Sequence, residues 1–108
     1  MSEIFKALAD PTRRKVLQLL QRGPIGAGEL ADQFDVSKPT MSAHFAVLIA
    51  AGLIDAEKQG RTITYRLRMS VLEEALLGFV EVFGIQLMRK EDEPAAAAGE
   101  KKPKKGKP

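Results

Sequence analysis

The amino-acid sequence predicts a mainly α-helical domain that carries one β-hairpin. Apolar residues recur at the helical spacing of three or four positions as far as Gly52. The spacing then changes to about two over residues 53–67, with a polar, glycine-containing tip at residues 59–61. Helical spacing returns over residues 71–88. The predicted order is therefore four helices, a hairpin and a fifth helix.

Residues that start and stop helices divide the first part of the chain. A short apolar stripe at residues 4–8 predicts the first helix. Asp10 is a suitable N-cap for a second helix, and Pro11 fits its first turn. This helix is predicted to end at Gly23, and Gly26 or Ala27 opens the third.

The third and fourth helices are predicted to follow each other closely. We expect the third helix to reach Phe34, with a very short turn at Asp35 and Val36. Ser37 is a good N-cap for the fourth helix, and Gly52 is its natural C-terminal stop. The predicted core residues of this pair are Leu30, Ala31, Phe34, Met41, Phe45, Leu48 and Ile49. Such a pair has the proportions of a helix-turn-helix, whose second helix lies in the DNA major groove.

The fourth helix is predicted to present small or hydrogen-bonding side chains away from the core. These are Ser37, Lys38, Pro39, Thr40, Ser42, Ala43, His44 and Val47. Such side chains let a helix approach base edges and bond to bases or phosphates. An ordinary surface helix with a serine cap is the alternative. The position of His44, between the core and solvent faces, is compatible with a DNA contact or with a partly buried structural role.

The predicted hairpin tip is polar and basic, and it follows the helix pair directly. Its side chains are Lys58, Gln59, Arg61 and Thr62. Beside a recognition helix, a basic tip is a wing that reaches an adjacent groove or phosphate, although it could also be a solvated loop. Together the helix pair and the hairpin predict a winged helix-turn-helix fold. For Arg13 and Arg14, a phosphate contact, a structural ion pair and a free surface charge all stay open.

The residue inventory argues against an enzyme. The chain has no cysteine and one histidine, so thiol catalysis, disulfides, thiolate metal sites and a histidine metal cage are excluded. The histidine has no nucleophile and orienting acid in a recognisable arrangement. Glycines at positions 23, 26 and 28 fit no phosphate-binding or dinucleotide motif. We expect no cofactor and no bound metal.

Charge and hydropathy suggest one folded domain and a tail. Residues 1–88 carry ten basic and ten acidic side chains, whereas residues 89–108 carry seven and four. We therefore expect a domain for DNA binding and dimerisation at 1–88 and a disordered Lys/Pro-rich tail at 89–108. The longest apolar stretch contains Glu73, Glu74 and Glu81, which a bilayer would penalise. The expected location is the bacterial cytoplasm, at the nucleoid, without a membrane partner.

The last helix carries more apolar surface than a monomer of this size can cover. Its main stripe lies at helical spacing, and further apolar residues surround it. We predict a two-fold homodimer in which the last helices pair, together with the first. The predicted interface residues are Ile4, Phe5, Leu8, Leu72, Leu76, Phe79, Phe83 and Leu87. Gly78 and Gly84 would permit close helix approach or mark a local irregularity.

Short motifs occur in a fixed order between about residues 3 and 88. They are Asp10-Pro11-Thr12-Arg13-Arg14, Val36-Ser37-Lys38-Pro39-Thr40, Ser42-Ala43-His44-Phe45 with Leu48, Ala51-Gly52-Leu53-Ile54, and Gly60-Arg61 followed by Tyr65. This set resembles the ArsR family of bacterial winged-helix repressors, and within it the SdpR-type autorepressor branch.

The resemblance implies a dimeric repressor that binds a pseudo-palindromic promoter operator in double-stranded DNA. It implies a reading helix with Ser37, Lys38, Thr40, Ser42 and His44, and a wing with Arg61. Metal-sensing members place cysteines, or carboxylate and histidine ligands, where residues 27–34 and 71–88 have no cysteine or histidine. A winged-helix module for protein partners is the competing hypothesis, and the sequence identifies no inducing ligand.

Overall fold

The computed structural model describes residues 2–85. Its elements are α1 (Ser2–Leu8), α2 (Pro11–Leu20), β1 (Ile25–Gly26), α3 (Ala27–Ala31), α4 (Lys38–Ala50), β2 (Ile54–Gln59), β3 (Thr62–Leu67) and α5 (Met69–Phe83). The predicted order of helices and hairpin is confirmed. Of the described residues, those up to Gly78 form one compact unit, and those from Phe79 onward belong to a second. Among them no helix is long and apolar enough to cross a membrane.

The sheet contains one strand more than the predicted hairpin. β2 and β3 pair antiparallel from Ile54 opposite Leu67 to Gln59 opposite Thr62. The short β1 adds to the other edge of β3, with Ile25 opposite Tyr65. A two-residue strand has no hydropathy period, so sequence patterning does not reveal it. Because β1 leads directly into α3, it ties the hairpin to the helix-turn-helix.

The hydrophobic core lies in the first unit and draws on almost every element. Its buried members are Ala7, Val16, Leu17, Leu20, Leu30, Met41, Phe45, Leu48, Leu53, Ile54 and Tyr65. The rings of Phe45 and Tyr65 lie 4.7 Å apart, and burial raises the pKa of the Tyr65 hydroxyl. The prediction that Ile49 faces the core is wrong, because this side chain is 42% exposed. One residue beyond Leu48, the helix has turned by about 100° away from the buried stripe.

The connection between α3 and α4 is longer than the sequence predicts. α3 ends at Ala31, and residues 32–37 link it to α4. The amides of Gln33 and Phe34 donate to the carbonyls of Leu30 and Ala31, at 3.1 Å each, in tight turns of the 3₁₀ type. Phe34 thus lies outside the helix, yet it is half-buried and packs against the core.

Glycine ends both long helices in the same way. After α4, Gly52 has a φ of 78°, its amide donates to Ile49 at 2.9 Å, and the next amide, of Leu53, donates to Leu48 at 3.0 Å. This is the Schellman pattern and confirms the predicted stop at Gly52. After α5, Gly84 has a φ of 64°, and the amides of Gly84 and Ile85 donate hydrogen bonds to the carbonyls of Glu81 and Val80.

The last helix therefore differs from the predicted one at both ends. It begins at Met69 and ends at Phe83, where helical spacing predicted residues 71–88. The left-handed conformation of Gly84 ends the helix, and hydropathy spacing does not reveal such a backbone conformation. The predicted interface residue Leu87 and the predicted tail at 89–108 lie outside the described residues.

Candidate nucleic-acid interface

The N-terminus of α4 is organised by Ser37. This residue has extended backbone angles, and its Oγ accepts a hydrogen bond from the Thr40 amide at 3.3 Å. The same hydroxyl donates to Thr40 Oγ1 at 2.9 Å. Because a hydroxyl has one proton, the donor of Ser37 is occupied, while that of Thr40 stays available to an outside acceptor. Thr40 is exposed, so such an acceptor can reach it.

The outward side of α4 is open, as the sequence predicts. Lys38, Ser42 and Ala43 are exposed, and Val47 is 37% exposed. Within residues 2–85, the side chains of Lys38 and Ser42 make no hydrogen bond or ion pair. Met41, Phe45 and Leu48 hold the opposite side of the helix in the core. α4 therefore offers polar donors and small apolar groups on a rigid support.

His44 lies at the edge of this surface and contacts Arg13. The imidazole is half-buried, and its Nδ1 lies 3.3 Å from Arg13 Nη1. Arg13 also donates from Nε to the Ala7 carbonyl at 2.8 Å and from Nη2 to the Lys6 carbonyl at 2.9 Å. Arginine at a helix C-terminus can satisfy the last carbonyls, and Arg13 does so for α1. Sequence reasoning missed the Arg13–His44 contact because the two residues are 31 positions apart.

Arg14 also bonds to the end of α1, through Nη1 and the Leu8 carbonyl at 2.8 Å. For both arginines the structure thus adds a role that the sequence did not suggest, namely closure of a helix C-terminus. Neither Arg13 nor Arg14 makes an ion pair with another side chain within residues 2–85.

Asp10 fixes the start of the helix that carries both arginines. Its Oδ1 accepts from the Thr12 amide at 2.8 Å and from the Arg13 amide at 3.1 Å, which confirms the predicted cap. The hydrogen bond from the Arg13 amide, aided by that from Thr12, holds the pKa of the Asp10 carboxyl below its usual value, although partial burial opposes the shift. The backbone of Arg13 is thereby held in place opposite His44.

The hairpin tip is exposed, and its charges are available. Gly60 adopts a φ of 61° in the two-residue turn between β2 and β3, and Lys58, Arg61 and Thr62 are exposed. In the part of the chain that the structure describes, neither Lys58 nor Arg61 has an ion-pair partner. Among the same residues, no hydrogen bond or ion pair joins the hairpin tip to α4. The tip and α4 are therefore two separate polar surfaces.

The base of the hairpin, in contrast, has paired charges. Asp55 lies 3.5 Å from Arg66 Nε and 3.8 Å from Arg68 Nη1. Exposed pairs of this kind contribute little to stability. Of the basic side chains on the hairpin, those at the tip are therefore the ones left free to contact an anion.

The described residues form no cluster that could hold a metal ion: within 2–85, no three His, Cys, Asp or Glu side chains come together. The chemistry that this surface supports is hydrogen bonding and ion pairing to an extended anion. Whether α4 and the hairpin tip contact DNA stays a prediction, and the exposed polar groups are the donors that such a contact would use.

Comparisons with known proteins agree with this geometry. A family described as a helix-turn-helix domain matches residues 8–57. The transcriptional repressor SdpR of Bacillus subtilis (strain 168) is 42% identical over 76 residues, which cover 70% of this chain and 84% of that protein.

Solved structures show the same relationship. The crystal structure of an ArsR family transcriptional regulator superposes with a TM-score of 0.65 at 38% identity, covering 80% of this chain and 92% of that one. The ArsR-like transcriptional regulator from Rhodococcus sp. RHA1 gives a TM-score of 0.67 at 34% identity and 77% coverage of both chains. These relatives are regulators and not enzymes. The chain therefore belongs to the ArsR family of winged helix-turn-helix proteins and is a DNA-binding transcriptional repressor.

Proposed function

We propose that the protein acts as a homodimer that represses transcription by occupying a pseudo-palindromic promoter operator. The observation that carries this proposal is the exposed, hydrogen-bonding side of α4, whose opposite side is fixed in the core. A repressor of this kind works where promoters are, at the nucleoid of the bacterial cytoplasm. No cysteine is present to form a thiolate metal sensor.

In this proposal α4 supplies sequence specificity and the hairpin tip supplies affinity for phosphates. Thr40 and His44 contact base edges, because Thr40 offers a hydroxyl on the exposed side of α4 and His44 offers a ring nitrogen at the edge of that side. Lys38 and Ser42 bond to bases or phosphates, and Ser37 orients Thr40. The wing residues Lys58, Arg61 and Thr62 contribute phosphate affinity. Since residues 1–88 carry balanced charge, affinity depends on where these few cations lie.

Three single-alanine variants test this division. Replacing Thr40 or His44 by Ala should cost about 1 to 3 kcal/mol on operator fragments selected from genomic DNA, and much less on random DNA. Arg61→Ala should weaken both by similar factors and reduce the salt dependence. Arg22→Ala is the matched control, because Arg22 is an exposed arginine that belongs neither to α4 nor to the hairpin tip. It lines a cleft with Leu67, at the end of β3 away from the tip.

Binding curves by fluorescence anisotropy at several salt concentrations give the required numbers. Equal losses for Arg61→Ala and His44→Ala on every DNA would contradict the division between reading helix and wing. Absence of any DNA binding at low salt would instead favour a winged-helix module for protein partners.

The proposed dimer interface rests on exposed apolar residues of α5. In the first unit, Leu76 and Leu77 are exposed. In the second, Val82 is 76% and Phe83 65% exposed, and the Phe83 ring packs at 4.9 Å from that of Phe79. Surfaces of this kind mark protein interfaces. The other proposed members, Ile4, Phe5, Leu8 and Leu72, are half-buried, and Ile4, Leu8 and Leu72 pack against the core of their own chain.

Sedimentation of a charged variant tests the dimer. Phe83→Glu would force an uncompensated carboxylate into the interface, so it should yield monomers and weaken operator binding, since a palindrome needs both half-sites. Ile49→Glu, at an exposed apolar position of α4, should leave the dimer intact. A monomeric wild-type protein at micromolar concentration would refute the proposal.

A separate proposal concerns the basic residues that follow residue 85. Residues 101–107 include five lysines, and we propose that this charge adds a sequence-independent attraction to DNA. Deletion of residues 94–108 should lower affinity for operator and random DNA by similar factors and flatten the salt dependence. An unchanged salt slope would leave these residues a solubilising role alone.

A further inference from the structure

We infer that Arg13 is a positioning residue for DNA reading, which fixes the imidazole of His44 so that its Nε2–H faces an acceptor on DNA. The inference rests on the proposed function, because it assigns His44 a contact with DNA. It adds a residue outside the helix-turn-helix to the recognition apparatus. It also specifies the chemistry of the contact, a neutral imidazole that donates a hydrogen bond.

The chemistry follows from the inventory of donors. A guanidinium has N–H donors and no acceptor, so in the contact at 3.3 Å Arg13 Nη1 donates and His44 Nδ1 accepts. A neutral imidazole that accepts at Nδ1 carries its proton at Nε2. Within residues 2–85, Nε2 has no hydrogen-bond partner. His44 therefore presents a donor, which suits guanine O6 and N7 or a phosphate oxygen.

The guanidinium is itself held in one orientation. Two of its nitrogens bond to the carbonyls of Lys6 and Ala7 at 2.9 and 2.8 Å, and the third points to His44. The planar fork of arginine fixes the third donor once the other two are engaged. The backbone of Arg13 is held at the capped start of α2 by Asp10. The position of the imidazole thus depends on the end of α1 and the start of α2, as well as on α4.

Arg14 provides a matched control for this inference. It follows Arg13 in the same helix and also bonds to a terminal carbonyl of α1, that of Leu8 at 2.8 Å. Among the described residues it makes no hydrogen bond with His44. If Arg13 acted only by closing α1, the two arginines would be equivalent for DNA binding.

The first experiment reads the tautomer directly and needs no DNA. His44 is the single histidine of the chain, so long-range ¹H–¹⁵N spectra of the labelled protein report it without assignment. Under alkaline conditions that keep the ring neutral, we expect one species, protonated at Nε2, in the wild type and in Arg14→Ala. Arg13→Lys, which lacks the fork, should show mixed tautomers. A wild-type ring protonated at Nδ1, or identical spectra for all three proteins, would overturn the inference.

The second experiment is a double-mutant cycle on DNA affinity. Arg13→Ala should weaken binding to a selected genomic fragment by about fivefold to tenfold, the effect of one hydrogen bond, and Arg14→Ala by less than about twofold. The double variant with His44→Ala should bind no more weakly than His44→Ala alone. Additive losses, or equal losses for the two arginines, would overturn the inference.

A substitute variant and a second DNA make the result of this cycle unambiguous. Arg13→Lys, which keeps the charge, replaces Arg13→Ala in the cycle if the alanine variant does not fold. A loss confined to the selected fragment identifies a base as the acceptor, and an equal loss on random DNA identifies a phosphate. A wild-type protein that shows the expected tautomer but binds no DNA would refute the proposed function and leave the Arg13–His44 geometry standing.

Discussion

The helices α4 and α5 are the longest of the described elements, and both end in the same glycine motif, yet they distribute their apolar residues in opposite ways. α4 buries Met41, Phe45 and Leu48, and its outward side is mostly small and polar, with Val47 and Ile49 as the exposed apolar exceptions. Among the described residues α5 buries Ala75 alone and leaves large apolar side chains exposed. The difference indicates the kind of partner each helix suits: a hydrated polyanion for α4, and an apolar protein surface for α5.

The largest effect on stability should come from a leucine-to-alanine substitution, which can be made in both helices. Leu48 is fully buried, so Leu48→Ala should lower the free energy of unfolding by about 2 to 5 kcal/mol. Leu77 is 58% exposed, and Leu77→Ala should cost less than about 1 kcal/mol at low protein concentration. Urea unfolding measures both. If the two losses were equal, the assignment of α4 to the core and of Leu77 to the surface would be wrong.

Glycine substitutions should give the next largest effect. Gly52→Ala places a Cβ at a φ of 78° and should destabilise the protein by about 1 to 2 kcal/mol, because L residues are strained there. Space is not the cause, since the nearest atom, on Val71, is 3.9 Å away. Gly84→Ala meets nothing within 4 Å and should have a smaller effect, since a helix end among exposed residues can relieve the strain by fraying. Thermal unfolding compares the two, and a larger loss at Gly84 would argue against this account.

Replacing a serine at the start of α4 and at the start of α5 should change stability by different amounts or in opposite directions. Ser37→Ala removes the cap of α4 and should cost about 1 kcal/mol of stability, while DNA affinity also falls as Thr40 loses its orientation. Ser70 is exposed and lies in the first turn of α5, where alanine is a better helix former, so Ser70→Ala should be neutral or slightly stabilising. Calorimetry with both variants checks this, and equal losses would mean that Ser37 does not act as a cap.

The smallest effect concerns Asp10, the N-cap of α2, and depends on pH. The pKa of Asp10 is lowered in the folded state, chiefly by the Arg13 amide, so its carboxylate stabilises the protein above the unfolded value near 3.8. This contribution disappears as the pH falls through the folded-state pKa. Asp10→Asn keeps an acceptor but does not titrate, so stability should fall less with acid in this variant than in the wild type. Parallel acid-unfolding curves would contradict the assignment.

Much of the fold could be predicted from sequence because it depends on local signals. Asp10, Ser37 and Gly52 act within one turn of their own position, and each has the predicted role. The alternation of the hairpin is likewise a property of neighbouring residues, and its strands begin and end close to the predicted positions. Failures arose where a signal was short or depended on backbone angles. The two-residue β1 and the left-handed Gly84 are of this kind.

The candidate site divides in the same way. The amino-acid sequence by itself determined that the protein is mainly helical with a wing, that it lacks the residues for thiolate metal binding, and that α4 carries small polar groups on one side. Tertiary structure decided that Ile49 is exposed and that Arg13 meets His44 across 31 positions. The physical reason is range: caps and periodicity act between neighbours along the chain, whereas the contact between two side chains depends on how α1, α2 and α4 pack around a shared core.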